Sequence, residues 1–307
     1  AIVLTQGDPA GIGPELLLRL GAAGLLRAGD RVVADEAPLR ALAAALATST
    51  DWATRGLAAL EALLDRAPRA PGQVSALIRG VDLVLEDPRA RALVHPRGLR
   101  HMVDPKVLWL GALAVYGEEE MQRSYGKLVP VPAERAEASE DGQVILLGGR
   151  PLLLIDAPGH ARHHHVIWDQ RSRGWFTGDS FGLSYREFDT AGTPWVLPTT
   201  TPVQFEPEAL KATLVRMMNF EPLRMYLTHY GAIGGSVAQL RQHTGELLQQ
   251  IDESCALATS LRDAPDRHAQ LKAGLMTRWL QALQDRGWPG DASDARAGLA
   301  MDAELNA

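Results

Sequence analysis

Four apolar runs crowded between Gln143 and Asp179, QVILLG, PLLLID, HVIWD and GWFTGD, limit this chain more than any other feature. Each is too short for a stable helix, carries branched or aromatic side chains, and closes on Gly, Asp or a turn cluster. The stretch therefore predicts a meander of buried strands. RMYLTH reads as a further strand ending on His229. Residues 208–220 place Leu210, Leu214 and Met217 on one side of a helix, and the tail from Val237 reads as mostly helical with Gly and Pro breaks near Gly287.

The first third has a different texture. AIVLT and RVVAD read as strands, each followed by a helical stretch (from Pro14, and PLRALAAALA); LAALEALLDRA, a break at APRAPG, a helix over residues 73–85 and a strand at RALV follow. From His95, HPRGLRHMVDP reads as turn residues, the following apolar run as a helix, and LVPVPAERAEASEDG as a polar connector. Two units are expected, residues 1–92 and 93–307.

Composition removes several functions. The net charge is −6 and no basic run is interleaved with aromatics, so nucleic acid is not an expected partner. One cysteine, Cys255, allows neither an internal disulfide nor a cysteine zinc cluster. No apolar run approaches the ~20 residues of a bilayer span, and no charged leader precedes Ala1, so no membrane association and a cytoplasmic location are expected. The absence of an initial Met and the ending at AELNA suggest truncation at both ends.

TQGDPAGIGPE stands between a strand and a helix. Gly11 and Gly13 permit a tight turn, Pro14 suits a first helical position, and the amides there, with Asp8, form a candidate phosphate site. A ligand-free turn is the alternative. The motif resembles the amino-terminal signature of 4-hydroxythreonine-4-phosphate dehydrogenases, an NAD- and divalent-metal-dependent family, and the likeness runs over about residues 1–90. That family takes its metal on histidines, and residues 1–94 contain none, which argues against this activity and against NAD.

Three signatures follow in order: Ala-Pro-Gly-His ending at His160, Phe-Thr-Gly-Asp ending at Asp179, and Leu-Thr-His ending at His229. Each sets an imidazole or carboxylate at the carboxyl end of an expected strand, where side chains can meet at one rim and ligate zinc or iron. They resemble the carboxyl-terminal part of the metallo-β-lactamase superfamily, over about residues 93–307. The resemblance implies an α/β chain: an incomplete αββα sandwich preceded by a small α/β unit. It implies His160, Asp179 and His229 as the catalytic metal-ligating residues, Asp179 as the bridging carboxylate, and His164 as a residue orienting the ligands. The implied activity is metal-dependent hydrolysis of a small ester, thioester, lactone or phosphoester.

The family's His-x-His-x-Asp-His motif has no counterpart here. His160 with Asp179, and Asp179 with His229, give each metal two protein ligands where a catalytic zinc usually has three. Weak or absent metal binding is expected unless His163, His95, His101, Asp8 or Asp35 supplies a replacement. Two alternatives stand beside the hydrolase: a catalytically dead chimera or scaffold joined between residues 85 and 97, and a dehydrogenase-like fragment. A half-sandwich exposes an apolar sheet face that must be covered by the amino-terminal helices, the tail helices or another chain, so a homo-oligomer or poor solubility is expected.

Overall fold

The computed structural model describes residues 3–5, 31–33, 91–124, 129–147, 149–200, 204–229 and 231–307. The chain divides into two compact units, Ala1–Glu140 and Asp141–Ala307. In the first, β1 (Val3–Thr5) pairs parallel with β2 (Arg31–Val33), as AIVLT and RVVAD suggest. The candidate phosphate turn with Asp8, Gly11 and Gly13, the helices read over residues 14–20 and 73–85, and Asp35 lie outside the described residues.

The strand read at RALV is β3 (Ala92–Val94). Two segments differ from their reading. HPRGLRHMVDP contains a helix, α1 (Pro96–Val103): Pro96 needs no donor in the first turn, and His95 Nδ1 accepts the Arg97 N–H at 3.1 Å as its cap. The polar connector holds β4 (Ala136–Ala138), paired parallel with β3. Between them, α2 (Lys106–Ser124) is broken at Gly117, whose φ is 76°.

The second unit carries a six-stranded sheet: β5 (Val144–Leu147), β6 (Arg150–Asp156), β7 (His165–Asp169), β8 (Gly174–Gly178), β9 (Arg224–Leu227) and β10 (Ala232–Gly234), in spatial order 10-9-8-7-6-5. The first four are the runs seen in the sequence. β6 is antiparallel to β7, β7 is antiparallel to β8, and β8 is parallel to β9. Hence β6, β8 and β9 point the same way and end on one rim, where the turns carrying His160, Asp179 and His229 leave the sheet. The β8–β9 register shifts between Phe176 and Gly178, a bulge that re-aims the chain just before Asp179.

Alternation along the strands sends one set of side chains into a core. Ile155, Val166, Trp168, Trp175, Met225 and Leu227 pack against Leu210, Leu214 and Met217 of α3 (Pro207–Met218) and against Leu240, Leu247 and Ile251 of α4 (Val237–Ser260). Trp175 is fully buried and donates its indole N–H to the Met217 carbonyl at 3.0 Å, so the largest core side chain leaves no polar atom unmatched. The class is α/β as expected, and this sheet with its helices has the form of one half of an αββα sandwich. At the sheet edge, Val144, Leu146 and Leu147 are exposed.

A second cluster joins Leu183, Phe188, Trp195 and Leu197 to Leu271, Leu275 and Trp279 of α5 (Arg267–Asp285), with Ala295 of α6 (Ala292–Gly298) and Ala303 of α7 (Ala300–Asn306). The helical tail is thereby packed on the segment that follows Asp179. Among the described residues, no helix is long and apolar enough to cross a membrane.

Candidate metal centre

The turn after β6 places His160. Its backbone is held from α3: the Glu206 N–H donates to the Gly159 carbonyl at 2.8 Å, and the Thr213 hydroxyl donates to the Pro158 carbonyl at 2.8 Å. Thr199 fixes the ring. Its hydroxyl donates to the Asp179 carbonyl at 2.8 Å and so meets His160 Nδ1, at 3.0 Å, as an acceptor; the Thr199 carbonyl lies 3.2 Å from the same nitrogen. Both partners want a proton on Nδ1, which leaves the Nε2 lone pair open. That Nε2 stands 3.5 Å from Asp179 Oδ2.

His229, in the turn after β9, approaches from the other side, with Nε2 3.3 Å from Asp179 Oδ1. The contact is off the line of a regular hydrogen bond, and the buried Oδ1 has no properly aimed donor. The His160 side chain is 13% exposed and that of His229 is 41% exposed, so His229 stands at the mouth and His160 behind it. Burial pulls the Asp179 carboxyl upward, but the His229 and His160 rings beside it outweigh that and hold the pKa below the usual aspartate range. Asp179 is therefore an anion between two imidazoles.

His164 has a separate task. The Asp179 N–H donates to its Nε2 at 3.1 Å, and its Nδ1 lies 3.3 Å from the Ser180 hydroxyl. Its Nε2 lone pair is thus used on the backbone of Asp179. Burial pushes its pKa down to about 4, more than the Asp179 charge raises it, so the ring is neutral and keeps the acceptor that this bond needs. Gly178 makes the close approach feasible, since a Cβ there would collide with the His164 ring and the backbone φ is 48°.

The tail reaches the same rim. Tyr185 donates to Asp302 Oδ2 at 2.7 Å; burial raises the Asp302 pKa, while the Tyr185 bond and the charge of His229 pull against that rise. Asn306 Oδ1 accepts from the Thr200 hydroxyl at 2.8 Å, next to the residue that orients His160.

His160, Asp179 and His229 are donors of the kind a divalent cation takes, with His160 in the tautomer that frees Nε2, and Asp179 Oδ1 is a buried acceptor lacking a donor. They are arranged pairwise, one ring on each carboxylate oxygen. Among the described residues, no group of three or more His, Cys, Asp or Glu side chains encloses a single point suited to a metal ion. Of the other candidates, His95 caps α1, and His101 Nε2 accepts from Arg100 Nε at 3.2 Å. His163 is exposed.

Residues 78–229 match the family model described as Metallo-beta-lactamase superfamily, a span that ends on His229 and includes His160 and Asp179. This segment is a metallo-beta-lactamase superfamily domain. The Metallo-beta-lactamase fold-containing protein ST1585 of Sulfurisphaera tokodaii is 29% identical over 155 residues, which is 50% of this chain and 51% of that protein. The chain thus spans about half the length of the curated relative it matches. Against the crystal structure of that archaeal protein the identity is 26% and the TM-score 0.44, covering 54% of this chain and 61% of the other. The metallo-beta-lactamase family protein TTHA1429 of Thermus thermophilus is 17% identical with a TM-score of 0.43, covering 69% and 67%. TTHA1623, solved in a di-iron-bound form, is 20% identical with a TM-score of 0.35, covering 78% and 87%.

The three candidate donors, His160, Asp179 and His229, are brought together at one rim, and the fourth residue singled out in the sequence, His164, bonds to Asp179. Thr199, Ser180, Tyr185 and Asp302 were not visible as site residues. No motif marks them: Ser180 and Tyr185 sit in the loop that follows Asp179, and Thr199 and Asp302 reach the rim from more distant parts of the chain.

Proposed function

We propose that the chain is a metal-dependent hydrolase of a small ester, thioester, lactone or phosphoester, with His160, Asp179 and His229 as protein donors to zinc or iron. The observation that carries this reading is the convergence of two imidazole Nε2 atoms on opposite oxygens of one half-buried carboxylate. A bound cation would polarise the substrate carbonyl or phosphoryl oxygen and acidify water. The chain's own residues do the rest: Thr199 keeps the proton on His160 Nδ1, His164 holds the Asp179 backbone, and His229 presents its ring at the mouth.

The test is hydrolysis of p-nitrophenyl acetate and of a simple thioester after loading with zinc or iron. Turnover removed by chelation, restored by metal, and lost in Asp179→Ala is the expected result. Purified protein that takes up no metal and hydrolyses neither ester overturns the reading. A second reading, a scaffold without catalysis, is favoured by the donor count, since each imidazole shares only Asp179. Turnover of the metal-loaded protein separates the two, because a scaffold hydrolyses neither ester whether or not it binds metal.

A further inference from the structure

If the hydrolase reading holds, the charge placed beside the mouth of the centre bears on which substrates it takes. Arg186 opens the single turn Arg186–Phe188, seven residues after Asp179, and is exposed. Its guanidinium lies against the backbone of Gly231: a Cβ there would stand 2.5 Å from Nη2 and 3.1 Å from Cζ, and the glycine has φ 120°. A side chain at this position would push the guanidinium away from the turn.

Gly231 is two residues past His229, and its carbonyl accepts the Leu227 N–H at 3.1 Å, which folds the His229 turn back on itself. Two Cα–Cα steps span at most about 7.6 Å. The Arg186 cation therefore lies beside the His229 turn, at the more exposed end of the donor set.

Among the described residues, the Arg186 side chain has no hydrogen bond and no ion pair. Three carboxylates on or bonded to neighbouring residues could compete with a substrate anion for this cation. Asp189 feels the charge of Arg186 from beyond ion-pair distance and feels Arg286 and His243 as well. Glu187 is its exposed chain neighbour, and Asp302 is taken by Tyr185. An exposed guanidinium beside the His229 turn, with its fork of donors unused among the described residues, adds little stability and is suited to an incoming oxyanion.

We propose that Arg186 binds an oxyanion group, a carboxylate or a phosphate, on the substrate, and so directs this centre to anionic esters and thioesters. Arg186 is a specificity-determining residue in this assignment, with no part in the bond that breaks.

The experiment compares p-nitrophenyl acetate with the p-nitrophenyl hemiester of succinate on metal-loaded protein, for the wild type, Arg186→Met and Arg186→Lys. Alongside, calorimetric titrations with succinate and with inorganic phosphate read binding without turnover. Expected is a preference for the hemiester whose kcat/KM ratio over the acetate falls about tenfold in Arg186→Met, chiefly through KM, and is largely kept in Arg186→Lys. Binding of whichever anion the wild type takes should weaken about tenfold in Arg186→Met alone, which also tells a carboxylate from a phosphate. An unchanged ratio with unchanged anion binding overturns the proposal, as does a wild type that binds neither anion. If neither ester is hydrolysed, the hydrolase reading fails and the titrations alone decide: anion binding lost in Arg186→Met still supports the Arg186 site.

Discussion

Two places in the second unit bury a histidine beside a carboxylate, and they are built in opposite ways. At the rim, the ring atoms of His160 and His164 each have an assigned neighbour, and the rings of His160 and His229 are aimed at one carboxylate. In the interior, His243 is fully buried with neither ring nitrogen hydrogen-bonded; its Nδ1 stands 3.5 Å from Glu246 Oε2. Glu246 is held instead by both of its oxygens at 3.2 Å from Arg286 Nη1, and Arg286 Nη2 donates to the Pro194 carbonyl at 3.0 Å. Asp189 Oδ1, Thr190 Oγ1, Gln250 Oε1 and Arg286 Nε nearby are also buried without partners. Direction is specified at the rim. The interior cluster ties α4 and the end of α5 to the segment after Asp179 through charge, with directions left loose. A cluster that must present lone pairs to a ligand needs its tautomers fixed, whereas one that joins elements does not.

The largest effect that would break this contrast is on turnover. Asp179→Ala is expected to lower metal-dependent hydrolysis at least about a hundredfold, since it removes the only donor shared by both imidazoles. Glu246→Ala is expected to leave kcat/KM within about threefold and to act on stability. Equal losses of activity in steady-state assays of the two variants would abolish the distinction.

Next in size, His164→Ala should weaken zinc or iron binding about 10- to 100-fold in a competition titration, because the Asp179 backbone loses the acceptor that sets its position. His243→Leu should leave metal affinity unchanged, and its thermal midpoint should hold or rise, since two unmatched polar atoms leave the core. A His243→Leu variant with impaired metal binding would place the interior cluster in the site.

Smaller again, Arg286→Met should cost roughly 1–3 kcal/mol in denaturant unfolding by leaving Glu246 without its cation. An unchanged midpoint would show that the interior charges do not tie these elements together.

The smallest effect depends on pH. Burial raises the Glu246 carboxyl, but the nearby His243 ring, the bond from Gln242 and the Arg286 charge outweigh it, so its folded pKa lies below the ordinary glutamate value. A depressed carboxylate contributes stability above its unfolded pKa and loses it as pH falls through the folded one. The stability gap between wild type and Glu246→Gln should therefore be full at neutral pH, on the order of 1 kcal/mol, and close below the ordinary glutamate range. A gap constant from neutral to strongly acid pH would remove Glu246 as its source.

Much of the second unit was legible because its information is local. QVILLG, PLLLID, HVIWD and GWFTGD became β5 to β8, and Leu210, Leu214 and Met217 form the buried side of α3. β10 was not read, since Ala-Ile-Gly is too brief to show a period; pairing with β9 makes it a strand. The helix α1 was missed because Pro96 and Gly98 signal a turn, while the cap from His95 is visible only in three dimensions. In the site, His160, Asp179 and His229 stood out by residue type at strand ends. Thr199 did not, because threonine is common in loops and its bond to His160 spans 39 residues.

By itself the sequence determined where β5 to β9 form and in what order three candidate donors appear along the chain, since periodicity and turn chemistry act over a few residues. Tertiary structure alone decided that β6, β8 and β9 end on one rim, that Thr199 leaves His160 Nε2 open, that His164 holds the Asp179 backbone, and that Arg186 lies over Gly231. Strand direction follows from pairing between distant segments, and a hydrogen bond fixes a tautomer only when its partner has been brought to within about 3 Å by the packing of the rest.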